Sequence, residues 1–345
     1  MTRLTSTLPT RESGRHRTPT RVKHIARLLL ALAIIVSAAA AQQSSAPPGT
    51  TAWFCPMHPE VTAGEAGSRC RKCGMALVPG DPFDTREYSL ELTTVPAAVK
   101  AGVPVTFHFA VRHPGTNALI TGYEVVHEKR YHLFVVSRDM EFFEHIHPEQ
   151  QPDGTWMIQT TLPKPGDYRI LSDFLPTGGS PQFVGRTLET VDFTGDLESQ
   201  TPHLTPDVDV TKTIGSVTAH LELEPSTLVE GQFGHLAFTM TDAKTGRPVT
   251  DLQPYLGAFG HALILSEDMR DYVHSHPFEG PDSDISKGFG GPTVTFEGYM
   301  PRAGKYRAWS QFQRNGEVVT VPFTVNVATV EEAYRNPGAP AVNLR

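Results

Sequence analysis

His132-Leu-Phe-Val-Val-Ser-Arg-Asp-Met-Glu-Phe-Phe-Glu-His-Ile-His-Pro148 recurs without a gap as His261-Ala-Leu-Ile-Leu-Ser-Glu-Asp-Met-Arg-Asp-Tyr-Val-His-Ser-His-Pro277. The same spacing links Pro96 to Pro225 and Gly102 to Gly231. Further on, Pro163, Gly166, Tyr168, Arg169, Ser172 and Phe174 match Pro301, Gly304, Tyr306, Arg307, Ser310 and Phe312, with a short insertion in the second copy within Phe278–Pro292. One structural plan is therefore used twice. In both copies short β-branched or alternating runs recur: Val105–Val111, His132–Ser137, Thr155–Leu162, Tyr168–Phe174, Leu236–Met240, His261–Leu265, Thr293–Tyr299 and Val318–Val327. Gly, Pro, Asn and Asp break them at the intervals of a β-sandwich, and no long helical periodicity appears. The expected fold is mainly β, with tandem β-sandwich domains at 88–195 and 217–328, a connector at 196–216 and a tail at 329–345.

The two copies keep three histidines in common: His132/His261, His145/His274 and His147/His276. Residues two apart in a strand share a face, so His145 and His147 point the same way. If His132–Ser137 pairs antiparallel with Glu141–His147 about a turn at Asp139-Met140, His132 faces His147 and all three imidazoles converge. That register is an assumption, because Asp-Met is not a favoured two-residue turn. Three imidazoles suit copper or zinc, so both triplets are secondary metal candidates; structural hydrogen bonding is the alternative. Met140 and Met269 recur and offer thioethers, whereas Asp139 and Asp268 are expected to shape the turn through nearby backbone. Tyr168 and Tyr306, each following a Pro and a Gly, read as the corner device of a sandwich. His108, His113, His127, His203, His220 and His235 have no counterpart and read as ordinary residues.

All three cysteines of the chain fall in one segment, Trp53-Phe54-Cys55-Pro56-Met57-His58-Pro59 … Cys70-Arg71-Lys72-Cys73-Gly74-Met75. An odd, clustered count argues against a disulfide framework. Cys55-x-x-His58 and Cys70-x-x-Cys73 supply four donors from two knuckles, the set of a small tetrahedral site. Gly74 permits a sharp turn behind the second knuckle. Met57 and Met75 follow cysteines at two residues, and thioether sulfur favours Cu(I) and other soft ions.

This segment, 53–81, resembles the heavy-metal-binding domain of copper and silver efflux adaptors and of some heavy-metal P-type ATPases. The resemblance rests on Trp53, Cys55, Pro56, Met57, His58, Pro59, Cys70, Cys73, Gly74, Met75 and Leu77, and it departs at Arg71, where the family usually has proline. It implies a zinc-ribbon-like module binding Cu(I), zinc or another soft metal through Cys55, His58, Cys70 and Cys73. It does not by itself imply transport. The tandem domains loosely resemble secreted immunoglobulin-like or cupredoxin-like modules. A blue-copper centre needs a cysteine ligand that neither β domain has, which disfavours electron transfer of that type.

Residues 1–41 read as an export signal: seven basic residues up to Arg27, an apolar run Leu28–Val36, then small residues ending at Ala41. The run is short for a membrane span, and an uncleaved anchor is the alternative. A Ser/Pro/Gly linker occupies 42–52. Export would remove seven of the 30 basic and one of the 37 acidic residues, leaving 23 against 36, a net charge of −13. That acidity argues against nucleic acid or anionic membrane as a partner. A periplasmic or extracellular address would also make bare thiols a liability that metal removes.

The expected function is an exported metal-binding protein, with copper first, in homeostasis or resistance, together with an efflux or metal-transfer partner. The alternative is a structural or partner-binding protein whose Cys3His module is a zinc-held brace. No nucleophile elbow, HExxH or phosphate-binding glycine loop is present, so no enzymatic activity is expected; a three-histidine oxidase or hydrolase site is the remaining alternative.

Overall fold

A computed structural model describes residues 52–277 and 287–335. The expected signal at 1–41, most of the 42–52 linker, part of the second-copy insertion and the end of the tail lie outside the described residues. No helix among the described residues is long and apolar enough to cross a membrane. The fold is mainly β. The module is a three-stranded sheet of β1 (Ala52–Phe54), β2 (Thr62–Ala63) and β3 (Val78–Gly80), ordered β2-β1-β3.

The first repeat contains β4 (Ser89–Val95), β5 (Pro104–Arg112), β6 (Tyr131–Ser137), β7 (Phe143–Ile146), β8 (Glu149–Gln150), β9 (Trp156–Thr161), β10 (Asp167–Phe174) and β11 (Gln182–Glu189). They form two sheets, β4-β5-β9-β8 and β11-β10-β6-β7. The second repeat contains β12 (Thr211–Ile214), β13 (Val217–Glu224), β14 (Leu228–Val229), β15 (Gln232–Asp242), β16 (His261–Ser266), β17 (Tyr272–Ser275), β18 (Thr293–Met300), β19 (Gly304–Arg314) and β20 (Glu317–Ala328). Its sheets are β12-β13-β15-β18 and β14-β20-β19-β16-β17, and a short helix α1 (Val330–Arg335) follows. Strand β12 falls inside the stretch read as connector: Thr211, Lys212 and Thr213 before one Ile carry little apolar signal, and pairing with β13 makes the strand. The corner device is present twice, with the Tyr168 hydroxyl donating to Lys164 O at 2.6 Å and that of Tyr306 to Arg302 O at 2.9 Å.

Strands β6 and β16 read as unbroken apolar runs because both of their faces are covered. Leu133 and Val135 enter the core of the first sandwich, and Ala262 and Ile264 that of the second. The alternate residues Phe134 and Val136 meet Leu263 and Leu265 in a separate apolar cluster, joined by Leu171, Trp309, Met140 and Met269. The two sandwiches thus pack sheet to sheet along a seam, where Phe143 stacks on Trp309 with ring centroids 5.0 Å apart. Met140 and Met269 lie at the turn end of their hairpins, buried in this apolar cluster.

The hairpin register is the one expected. Leu133 pairs with Ile146 and Phe134 with His145, which brings His132 opposite His147; Ala262 pairs with Ser275 in the second copy. The connection is a four-residue loop, not a tight Asp-Met turn, and Met140 takes a left-handed φ of 59°. Asp139 Oδ1 accepts from Glu141 N–H at 3.1 Å and Asp268 Oδ1 from Arg270 N–H at 3.2 Å, the turn-shaping role read from sequence.

Removing the Trp309 indole from the seam leaves Phe143 unstacked in a site that cannot collapse freely. Trp309→Ala is expected to cost about 3–5 kcal/mol in chemical denaturation. A cost below about 1 kcal/mol would mean the sandwiches do not pack as described.

Candidate metal centres

The thiol centre is assembled from two local turns. After Cys55 the chain reverses, with His58 N–H donating to Cys55 O at 3.2 Å and Val61 N–H to His58 O at 2.8 Å. In the second knuckle Gly74 N–H donates to Cys70 O and Cys70 N–H to Met75 O, both at 2.8 Å, with Gly74 at φ 71°. The Arg69 guanidinium also donates to Gly74 O at 2.9 Å. These bonds close the knuckle although Arg71 stands in place of proline.

The four expected donors converge: Cys55 Sγ lies 3.5 Å from Cys73 Sγ and 3.7 Å from His58 Nδ1, and Cys70 Sγ lies 3.6 Å from His58 Nδ1. Metal–sulfur bonds of about 2.3 Å and metal–nitrogen bonds of about 2.0 Å at tetrahedral angles give edges of roughly 3.8 Å (S–S) and 3.5 Å (S–N). The observed separations are therefore close to those of a tetrahedron around one ion. All three thiols are free of disulfides. Cys55 and Cys73 compete for one proton: the hydrogen bond from Cys73 pulls Cys55 down to about 5, and the same contact together with burial pushes Cys73 up. Met57 and Met75 pack against the module's small core and line a cavity of about 350 Å³ with His58 and Cys73.

The second concentration of donors is the seam. His132, His145 and His147 place ligating nitrogens within 4.8 Å of one another, as the strand argument expects. The second copy departs from it. His261 and His276 group with His127, which the sequence reading treated as ordinary, and His274 stands outside that group. His274 makes a contact across the seam: its Nδ1 lies 2.6 Å from Asp173 Oδ2 of the first repeat. His145 Nδ1 makes the reciprocal contact, 2.8 Å from Gln311 Oε1 of the second. Asp173 and Gln311 each follow the matched Ser172 and Ser310, so each repeat orients the other's middle histidine from the same strand position. His127 sits in a turn with left-handed φ at His127 (49°) and Glu128 (64°), and its ring stacks on His276 with centroids 3.3 Å apart. Its only sequence signal was a histidine five residues before His132.

A family model for a domain of unknown function, DUF8832, matches the chain twice, at residues 84–192 and 212–329. The chain belongs to this family. A heavy metal binding domain model matches residues 52–79, the thiol module. No curated protein matches. Among solved structures the chain is similar to the Escherichia coli adhesin FdeC (17% identity, 70% of this chain and 66% of that one, TM-score 0.22). It is also similar to the Yersinia pseudotuberculosis adhesin InvE (13%, 70% and 60%, TM-score 0.21). It spans less than two thirds of either, and likeness at these scores carries no functional argument.

Within the DUF8832 repeats, burial disfavours protonation of six seam imidazoles. Burial first, then neighbouring histidines, lowers His132 to about 4 and His147 to about 3, and holds His127, His145, His261 and His276 well below the ordinary value. A histidine whose folded pKa lies below its unfolded value of about 6.5 resists protonation in the fold only. Stability is then full above 6.5 and lost as pH falls toward the folded value. His132 alone accounts for a loss of about 3 kcal/mol between pH 6.5 and 4. Chelator-treated protein is therefore expected to lose denaturant resistance steeply between pH 6.5 and 5. A flat profile there would contradict neutral burial of these rings.

Proposed function

We propose that this chain is an exported heavy-metal-binding protein, with copper as its principal ion, and that it serves metal homeostasis or resistance by binding rather than by catalysis. The observation that carries the reading is the near-tetrahedral convergence of Cys55, His58, Cys70 and Cys73 inside a heavy metal binding domain. Three sulfurs select soft ions such as Cu(I), and the thioethers of Met57 and Met75 beside them extend that preference. Export rests on the basic and apolar order of residues 1–41 and their small-residue ending at Ala41. The thiol donors His58 and Cys73 share one cavity with the repeat histidines His127, His274 and His276, which supports handling over storage at a single point. In this reading an efflux or transfer protein receives the ion.

A second reading has support of its own. Phe54 and Val78 of the module pack with Leu175 and Val126 of the first repeat, and Gly178 N–H donates to Pro79 O at 3.3 Å. A zinc-filled module would brace that junction.

Metal analysis separates the two. The full chain is expected to bind Cu(I) and Ag(I) at the module, and Cys55→Ser/Cys73→Ser to bind one ion fewer. Unchanged stoichiometry would sink the thiol assignment, and tight zinc that Cu(I) does not displace would favour the brace. Affinity is also expected to fall with pH, because protons compete for the thiolates.

A further inference from the structure

A neutral imidazole carries one N–H, so its hydrogen bonds fix which nitrogen keeps a lone pair. His132 Nε2 donates to Val126 O at 3.0 Å, which leaves Nδ1 bare. His145 Nδ1 donates to Gln311 Oε1, whose amide nitrogen is engaged 3.2 Å from Thr320 Oγ1, and this leaves His145 Nε2 bare. These two bare nitrogens lie 3.1 Å apart. Neither has a proton for the other, so two lone pairs face each other inside the protein.

The other half of the seam repeats the pattern. His261 Nε2 donates to Tyr255 O at 2.9 Å and His274 Nδ1 to Asp173, so His261 Nδ1 and His274 Nε2 are left without partners. His127 Nε2, His147 Nε2 and both nitrogens of His276 are likewise buried and unpaired. Buried polar atoms are rarely left so, and a ligating histidine characteristically gives its remaining N–H to a carbonyl or carboxylate.

We propose that the seam is a two-ion histidine centre: His132, His145 and His147 hold one divalent transition-metal ion, and His127, His261 and His276 hold the second, with His274 beside them. An all-imidazole donor set suits Cu(II) and Zn(II), with Cu(II) the tighter of the two. The proposal does not depend on the thiol reading, because it shares no ligand with it. The second ion site exists only when the repeats are packed together, since His127 reaches it from the first repeat and the other two stand on the second. The turn that equals His127–Glu128 in the second repeat is Leu256-Gly257, with Leu256 at φ 53°. Leucine is therefore already tolerated at that backbone position, and the centre is asymmetric by one side chain.

The test uses the full chain with Cys55→Ser/Cys70→Ser/Cys73→Ser, equilibrated separately with Cu(II) and Zn(II), freed of excess and assayed for metal per folded chain. Two ions are expected. Adding His127→Leu is expected to leave one, with circular dichroism unchanged. Fewer than two ions in the thiol-free chain, or two retained in His127→Leu, would overturn the proposal. Should the thiol-free chain not fold, crystals of the unaltered chain soaked in Cu(II) give the same decision: two anomalous peaks in the seam support the centre, and their absence overturns it. Loss of the seam ions alone leaves the thiol reading intact. Loss of Cu(I) binding at the cysteines alone leaves the seam centre intact.

Discussion

Four seam imidazoles, His132, His145, His261 and His274, each engage one ring nitrogen outside the histidine groups. Two of these contacts go to backbone carbonyls in neighbouring turns, Val126 and Tyr255, and two cross to the opposite repeat, to Gln311 and Asp173. His132 Nδ1 and His145 Nε2 face each other at 3.1 Å, and His261 Nδ1 and His274 Nε2 are buried without a hydrogen-bond partner. The arrangement holds only while β6 and β16 are covered on both faces, because the same alternation that sends Leu133 and Ala262 into the sandwich cores sends the histidines to the seam. Apolar packing of Phe134, Val136, Leu263 and Leu265 closes the interface, and imidazole chemistry occupies the open ends of the hairpins.

The reciprocity is not perfect, and the imperfections are chemical. At matched positions one repeat uses a carboxylate, Asp173, and the other an amide, Gln311. The His274–Asp173 contact is the shorter, at 2.6 Å against 2.8 Å for His145–Gln311. At another matched pair the turn residue is His127 on one side and Leu256 on the other. A duplicated scaffold has thus kept its framework and changed the groups that meet across it.

Much of this was legible in the residues. The repeat, the two sandwiches, the tyrosine corners and the hairpin register all follow from local patterns: period-two alternation, turn residues and the equal spacing of His132 and His147 about the loop. The thiol module was legible because its ligands come from two turns close in the chain. What could not be read lies across the seam. His274 carries the same local pattern as His145 but meets Asp173, a residue 101 positions away in the chain. His127 lacks a repeat partner, and its role depends on a left-handed turn aimed at the other sandwich. β12 is a strand because β13 offers it a free edge, not because its own sequence demands it.

The two kinds of centre therefore depend on different levels of structure. A knuckle site needs only a few turns and some hydrogen bonds, among them Gly74 N–H to Cys70 O, so its donors gather as soon as that short segment is ordered. In the seam, His132, His145 and His147 stand on one hairpin of the first repeat, whereas His127, His261 and His276 meet only across the packed repeats. Binding at the His127, His261 and His276 group stabilises the packed pair of repeats relative to the separated ones, because only the packed state brings those three residues together. A metal held there is linked to the interface in the thermodynamic sense: whatever loosens the Phe143–Trp309 stack weakens the ion, and the ion in turn tightens the stack.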